Sequence, residues 1–430
     1  MDPISTLAVP AAAARPRELA RAELGIAWTA IGLIALHVAD DSFFQPEPGT
    51  SAADHLVSGL VPLAVLLGLA WVYPRVRAGA RASIALSLGI FGIAVGASEA
   101  VYYTIKVGAS RDDYTGFLAL AAGVALLGLG VVTLWRSRRT DDRLARRYGR
   151  RTLVAFAGLI VFVVLVVPVA VSYVFTHATR AVVPPARLGA VHEDVSFRTS
   201  DDLKLNGWYV PSKNGAAVVV YPGRAGPQRQ ARMLARHGYG VLLFDRRGEA
   251  TSDGDPNAFG WEFDKDLRAA AAFLRRRSDV TRDQIGGIGL SVGGEALLQT
   301  GARSNAYDAI VSEGAGVRSL REQRMLPGLG MKIFQLPMAV ITAATATFAN
   351  EPPPPNLRDL SSRIKRPVMF IYAGHGQGGE NLTARFYAAA QEPKILWKIP
   401  DAEHTGGIEA RPAEYERRVV GFFDRNLLGR

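Results

Sequence analysis

The chain has 430 residues, 49% of them hydrophobic and 21% charged, which is more than one ordinary domain holds. Its formal net charge is +11, but the densest basic run, from Arg136 to Arg151, lies between two long apolar stretches, which argues against a nucleic-acid surface and suits a loop flanking a membrane. There is no cysteine, so disulfides, thiolate metal sites and a cysteine nucleophile are excluded.

In chain order, the first half carries five apolar stretches of membrane-spanning length, at 24–39, 55–73, 82–103, 117–135 and 153–175. Four spans follow the first, so it does not read as a cleaved signal peptide. Arg15, Arg17 and Arg21 precede the first stretch, and Asp40, Asp41, Glu47 and Asp54 follow it without a Lys or Arg. Arg75, Arg77 and Arg81 follow the second, a mixed loop (Lys106, Arg111, Asp112, Asp113) the third, and the strongly basic run the fourth. This alternation predicts a cytoplasmic N-terminus and, after five crossings, an extracytoplasmic second half. His37 and Glu99 are the ionisable residues to notice within the stretches, and both are expected near an interface, His37 beside Asp40 and Glu99 beside Tyr102 and Tyr103.

From about Val191 the pattern changes. VSFRTS and KLNGWYVP read as a hairpin, and AAVVVYPG, YGVLLFDRRG, QIGGIGLS, AIVSEGAG, RPVMFIYAG and KILWKIPDAEH as strands that are mostly continuous apolar runs. Runs apolar on both faces suit a parallel sheet covered by helices. Helical patterns at 228–236, 263–277, 294–301, 381–391 and 412–427 alternate with them. The expectation is a membrane domain over 1–178 with about five helices, then a three-layer α/β domain over 179–430.

Within the strand IGGIGL and the helix after it lies Gly289-Leu290-Ser291-Val292-Gly293. A serine between glycines at a strand-to-helix turn is the setting of a nucleophile elbow. A serine hydroxyl needs a general base, normally a histidine held by a carboxylate. Of seven histidines only His375 and His404 follow Ser291, and His404, in the loop after the last strand, fits the base in the order serine, acid, histidine.

The second half resembles an α/β-hydrolase of the dienelactone-hydrolase and acyl-peptidase-like branch, through YPGRAG, FDRRGEATSDG, GLSVGG and DAEHTGG in that order. The resemblance covers somewhat more than half of the chain and leaves the membrane half outside. It implies an acid after the strand preceding the histidine strand. There the chain reads Ala373-Gly374-His375-Gly376-Gln377-Gly378-Gly379-Glu380-Asn381, with Gln377 near the usual acid position, so the nearest carboxylate, Glu380, is the candidate. Asp401 and Glu403 stand in reserve. The oxyanion hole is expected from the backbone N–H groups of Val292 and Arg224. Asp245, Arg246 and Arg247 are expected to brace loops.

The apolar segment 325–348 lies between two strands of one sheet. A single crossing there would separate His404 from Ser291 across a membrane, so 317–356 is expected to form a lid, either touching the outer leaflet or packing on the hydrolase core. The function expected is a membrane-anchored serine hydrolase acting on an ester, thioester or amide of an apolar, lipid-like acyl substrate. An acyltransferase using the same residues, a sensor or scaffold retaining the fold, and a transporter fused to a hydrolase are the alternatives. No motif implies a metal or an organic cofactor, and oligomeric state is open.

Overall fold

A computed structural model describes residues 15–101, 104–105, 113–137, 144–177 and 182–430. The chain divides into two compact units, one formed by Met1–Gln45 with Gly59–Val166 and the other by Pro46–Ser58 with Val167–Arg430.

The first unit is helical. It comprises α1 (Arg15–Ala39), continued by a wider turn over Asp40–Phe44, α2 (Leu56–Val72), α3 (Ala78–Gly96), continued over Ala97–Val101, α4 (Asp113–Ser137) and α5 (Leu144–Val161). Helices α3 and α4 approach closely because glycines face each other. A Cβ on Gly96 would run into the Gly116 carbonyl, and one on Gly123 would lie 2.6 Å from the Ile93 nitrogen. His37 is buried, with Nδ1 3.2 Å from Thr115 Oγ1, and the Thr115 hydroxyl donates to Asp40 at 2.8 Å. The polar group inside the first stretch is thus linked to Asp40. The side chain of Glu99 lies outside the described residues, as do Tyr102, Tyr103, Lys106, Arg111 and Asp112.

The second unit begins with the segment 46–58 and α6 (Val167–His177). It continues with β1 (Glu193–Arg198), β2 (Lys204–Val210), β3 (Ala217–Tyr221), α7 (Gln228–Arg236), β4 (Gly240–Phe244), α8 (Phe263–Leu274), β5 (Ile285–Leu290) and α9 (Val292–Arg303). After β6 (Ala309–Glu313) come α10 (Leu320–Gln323), α11 (Leu329–Phe348), α12 (Leu357–Ser361), β7 (Val368–His375), α13 (Thr383–Ala389), β8 (Lys394–Glu403), α14 (Gly407–Ala410) and α15 (Pro412–Phe423).

The sheet order is β1-β2-β4-β3-β5-β6-β7-β8. β1 and β2 pair antiparallel, β2 joins β4 antiparallel, and every pairing from β4 to β8 is parallel. The apolar runs behave as central strands must, since all five residues of β3 and of β4 are buried. Alternate residues feed opposite layers. Val219 and Tyr221 pack with Phe263 and Leu297, whereas Val218 and Val220 pack with Leu234 and Phe423.

Two boundaries differ from expectation. The domain division falls at 166/167, not 178/179. The segment 46–58, which reads as a loop between apolar helices, packs on the α/β unit: Gly254 N–H donates to the Pro48 carbonyl at 2.8 Å, and His55 Nε2 lies 3.6 Å from Asp255. Among the described residues six helices, not five, are long and apolar enough to cross a membrane, the sixth being Leu329–Phe348. Because β6 and β7 pair directly, that helix cannot be a single crossing between them.

Candidate active site

Strand β5 delivers Ser291 at its carboxyl end. The residue has φ 53° and ψ −124°, a conformation side chains rarely adopt, and the turn closes only because its neighbours lack Cβ atoms. A Cβ on Gly289 would collide with the backbone of Gly293, and one on Gly293 would lie 2.8 Å from Pro222. The Ser291 N–H is held by the Glu313 carbonyl at 2.8 Å, which ties the turn to the neighbouring strand β6.

His404 follows β8 and reaches back to the serine. Its Nε2 lies 2.9 Å from Ser291 Oγ, and its Nδ1 lies 2.8 Å from Glu380 Oε2. An ionised carboxylate only accepts, so Nδ1 carries the proton and Nε2 of the neutral ring accepts from the hydroxyl. Glu380 is 1% exposed, and its other oxygen accepts the Ala373 N–H at 2.7 Å. The glycines around it make the room: a Cβ on Gly376 would collide with the Glu380 carboxylate, and Gly379 has φ 81°. His375 and Gln377 are exposed on the same segment. The structure therefore brings together Ser291, His404 and Glu380.

The imidazole sits among carboxylates. The hydrogen bond to Glu380 raises the His404 pKa above its ordinary value against the opposing effect of burial, and the charges of Glu380, Glu295 and Glu313 add to the rise. Glu295 and Glu313 are themselves buried, and desolvation pushes both carboxyls up, Glu313 to about 7.

Val292 is the first residue of α9, so its N–H is among those a helix leaves without an internal partner. Arg224 corrects the expectation for the second oxyanion donor. Its N–H donates to Asp245 Oδ1 at 2.9 Å, and its guanidinium holds Asp245 Oδ2 through Nε at 2.8 Å and Nη2 at 2.6 Å. Since β3 and β4 are neighbours, their loops meet, and a buried carboxylate takes the donor a free loop would have offered. Asp245 and Arg247 do brace loops as expected, Arg247 through Asp266, Asp201 and Glu262.

Sequence reasoning missed Glu313. Its carboxylate accepts from the Gly407 N–H at 3.0 Å and the Tyr415 hydroxyl at 2.5 Å, fastening the segment that follows His404. The signal was a charged residue closing the buried run AIVSE. Also missed was Arg318, whose buried guanidinium donates to the Gly260 carbonyl at 2.9 Å and lies 3.9 Å from Glu295.

The chain that builds this fold matches a known family over about half of its length. The family described as X-Pro dipeptidyl-peptidase (S15 family) matches residues 180–399. The chain belongs to the S15 peptidase family. The match takes in Ser291 and Glu380 and stops just before His404. The chain is 31% identical over 221 residues to an uncharacterized protein of Mycobacterium tuberculosis, covering 49% of this chain and 72% of that one. It is 26% identical over 248 residues to the uncharacterized protein YfhR of Escherichia coli, covering 54% and 80%. Among solved structures it is similar to a Pyrococcus furiosus esterase, at 22% identity, 59% and 98% coverage and a TM-score of 0.49. The S15 chain described here is thus a hydrolase of the esterase or peptidase type.

Proposed function

We propose that this S15 hydrolase is membrane-anchored and cleaves an ester, thioester or amide of an apolar acyl substrate through an acyl-enzyme on Ser291. The observation that carries this reading is the continuous hydrogen-bonded chain from Ser291 Oγ through His404 to Glu380. Ser291 Oγ attacks the substrate carbonyl carbon and its proton passes to His404 Nε2. Glu380 stabilises the imidazolium, and the oxyanion faces the Val292 N–H at the amino end of α9. Collapse breaks the bond to the alcohol, thiol or amine, which leaves with the His404 proton. Water then attacks the acyl carbon, giving its proton to Nε2; collapse breaks the bond to Ser291 Oγ, which takes that proton back from Nε2, and the carboxylic acid departs.

The membrane anchor is supported by the apolar helices, whose outer residues include Leu67, Trp71, Val131 and Trp135, each more than half exposed. An extracytoplasmic hydrolase unit is supported by the charge alternation of the loops. It is supported again by the packing of 46–58 on the α/β unit, since the loop after the first apolar helix and the hydrolase then share one side.

The test is labelling of the full chain, solubilised in detergent, with a fluorophosphonate probe. Wild type is expected to label and Ser291→Ala not to. Equal labelling of the two would remove Ser291 as the nucleophile, and absence of labelling in wild type beside an active control hydrolase would remove the enzyme reading.

A further inference from the structure

Between β6 and β7 lies α11, a 20-residue helix whose only charged residue is Lys332. Its first half has little protein around it. Leu329 is 74% exposed, Ile333 66%, Phe334 53% and Leu336 60%. Leu329, Ile333 and Leu336 form one stripe at helical spacing. A water-facing surface does not normally carry contiguous large apolar side chains of this kind, and such a patch marks a partner.

Two observations identify the partner. The second half of α11 packs along α6: Ser172 Oγ donates to the Ile341 carbonyl at 3.2 Å, and the Phe348 ring meets Tyr173 edge-on with centroids 5.4 Å apart. Helix α6 is the end of the 33-residue apolar helix Ala145–His177, the most apolar of the candidate spans. An apolar helix fastened to the end of a membrane span lies at the membrane surface. The direct pairing of β6 with β7 prevents it from passing through.

The ends of α11 relate this surface to the catalytic serine. Before it, Val317 and Leu326 pack at Gly379, next to Glu380, in the loop that follows β7. After it, Glu351 lies 3.6 Å from Lys265, at the start of α8 in the connection that follows β4. Ser291 follows β5, which stands between β4 and β7 in the sheet. Four strand intervals span ~19 Å, and a 20-residue helix is ~30 Å long, so α11 is long enough to run from one side of the serine's edge to the other.

We propose that the exposed face of α11 is embedded in the leaflet on the hydrolase's side of the membrane and that Ser291 draws its substrate from that leaflet. The substrate class is a membrane lipid with its ester, thioester or amide at the boundary between headgroup and acyl chain. Lys332 reaches its ammonium back to that boundary along its own alkyl stem. The proposal rests on the membrane-anchored hydrolase reading and adds where the substrate comes from.

The chain has no cysteine, so single-cysteine variants carry a probe at one site only. Ile333→Cys, Leu336→Cys and the control Arg417→Cys, on α15, are labelled with the fluorophore NBD in the full chain, reconstituted in phosphatidylcholine nanodiscs containing nitroxide-labelled lipid. Quenching at 333 and 336 is expected to exceed that at 417 by about threefold or more, as for a helix lying in the interface. Quenching no greater than at 417 would overturn the proposal, and so would fluorophores shielded from water but untouched by the nitroxides, which would place a second protein copy on the stripe. Turnover gives the second readout, with 4-methylumbelliferyl oleate in phosphatidylcholine vesicles against 4-methylumbelliferyl acetate in solution. The ratio of the two rates is expected to fall roughly tenfold in Ile333→Asp/Leu336→Asp. An unchanged ratio would overturn supply from the leaflet while the hydrolase reading stood. Loss of turnover on both esters in wild type would instead remove the hydrolase reading itself, whatever the depth of α11.

Discussion

The two units place their apolar side chains oppositely. In the α/β unit every residue of β3 and β4 is buried, and charges enter the interior in pairs, as with Arg224 and Asp245 or Arg247 and Asp266. In the helical unit, large apolar residues such as Leu67, Trp71 and Trp135 face outward, and glycines rather than side chains bring α3 and α4 together. On the membrane-anchored reading proposed above, each sequence is adapted to a different solvent. Water rewards burying apolar area. In lipid that drive vanishes, and close backbone approach with hydrogen-bonded polar groups takes over. Helix α11 sits in the first unit's opposite while carrying the helical unit's surface, and its apolar outside is therefore the feature of the α/β unit that most needs explanation.

The comparison breaks most sharply at the paired charges of the site. His404→Ala is expected to lower kcat/KM on a soluble ester by about 10⁶-fold, because serine and base act as one device. Glu380→Gln is expected to cost about 10⁴-fold, since an amide at 2.8 Å keeps the ring's position without stabilising the imidazolium. The same variant carries a pH signature. Catalysis needs the neutral ring, and Glu380 raises the His404 pKa, so the acid limb of kcat/KM in wild type lies above the ordinary imidazole value of about 6.5. In Glu380→Gln that limb moves to lower pH. A limb that stays in place would mean that another carboxylate holds the ring.

Stability variants sharpen the contrast between the units. Asp245→Ala leaves Arg224 buried without its carboxylate and is expected to destabilise the α/β unit by about 3–5 kcal/mol, with Arg224→Met/Asp245→Leu recovering most of the loss. Thermal unfolding of the three proteins in nanodiscs measures this. In the helical unit the sensitive positions are the glycines. Gly96→Leu forces α3 from α4 and is expected to cost about 3 kcal/mol, read as earlier loss of helical signal. If Gly96→Leu proves harmless while a polar substitution at outward-facing Leu67 is equally harmless, lipid is not the solvent of these helices.

The sequence shows one class of feature and hides another. Strands β3 to β7 could be read because a strand buried on both faces is apolar throughout. Ser291 could be read because only glycines permit its turn, and Glu380 because the glycines around it leave room for a displaced acid. Arg224 could not. Which donor is free depends on β3 lying beside β4, and a backbone N–H has no residue type to announce it. The attachment of 46–58 to the α/β unit was hidden for a like reason, since a polar loop looks the same whether it is solvated or packed. Composition alone gives α11 the appearance of a crossing, but its place between two strands of one sheet already denies it in the sequence, and the direct pairing of β6 with β7 agrees.

Glu313 gives the smallest expected effect and tests whether burial of charge in the α/β unit always serves pairing. Its carboxyl is 2% exposed and has two hydrogen-bond donors but, among the described residues, no Lys or Arg ion pair. Burial therefore dominates and pushes its pKa up to about 7. In the unfolded chain it titrates near about 4.3. Between these values the folded state binds a proton that the unfolded state has released, so its contribution to stability is complete below the lower value and is lost as pH rises to the upper one, at no more than about 1.4 kcal/mol per pH unit. Glu313→Gln is neutral throughout and can still accept from Gly407 while donating to Tyr415. Its thermal midpoint relative to wild type is expected to climb across that window and level off above it. A constant difference would mean that Glu313 is ionised in the folded protein at every pH in the range, with its two donors outweighing the desolvation. The residue would then be a fixed negative charge behind His404 rather than a neutral clasp, and the elevation of the imidazole pKa would persist to the acid end of the profile.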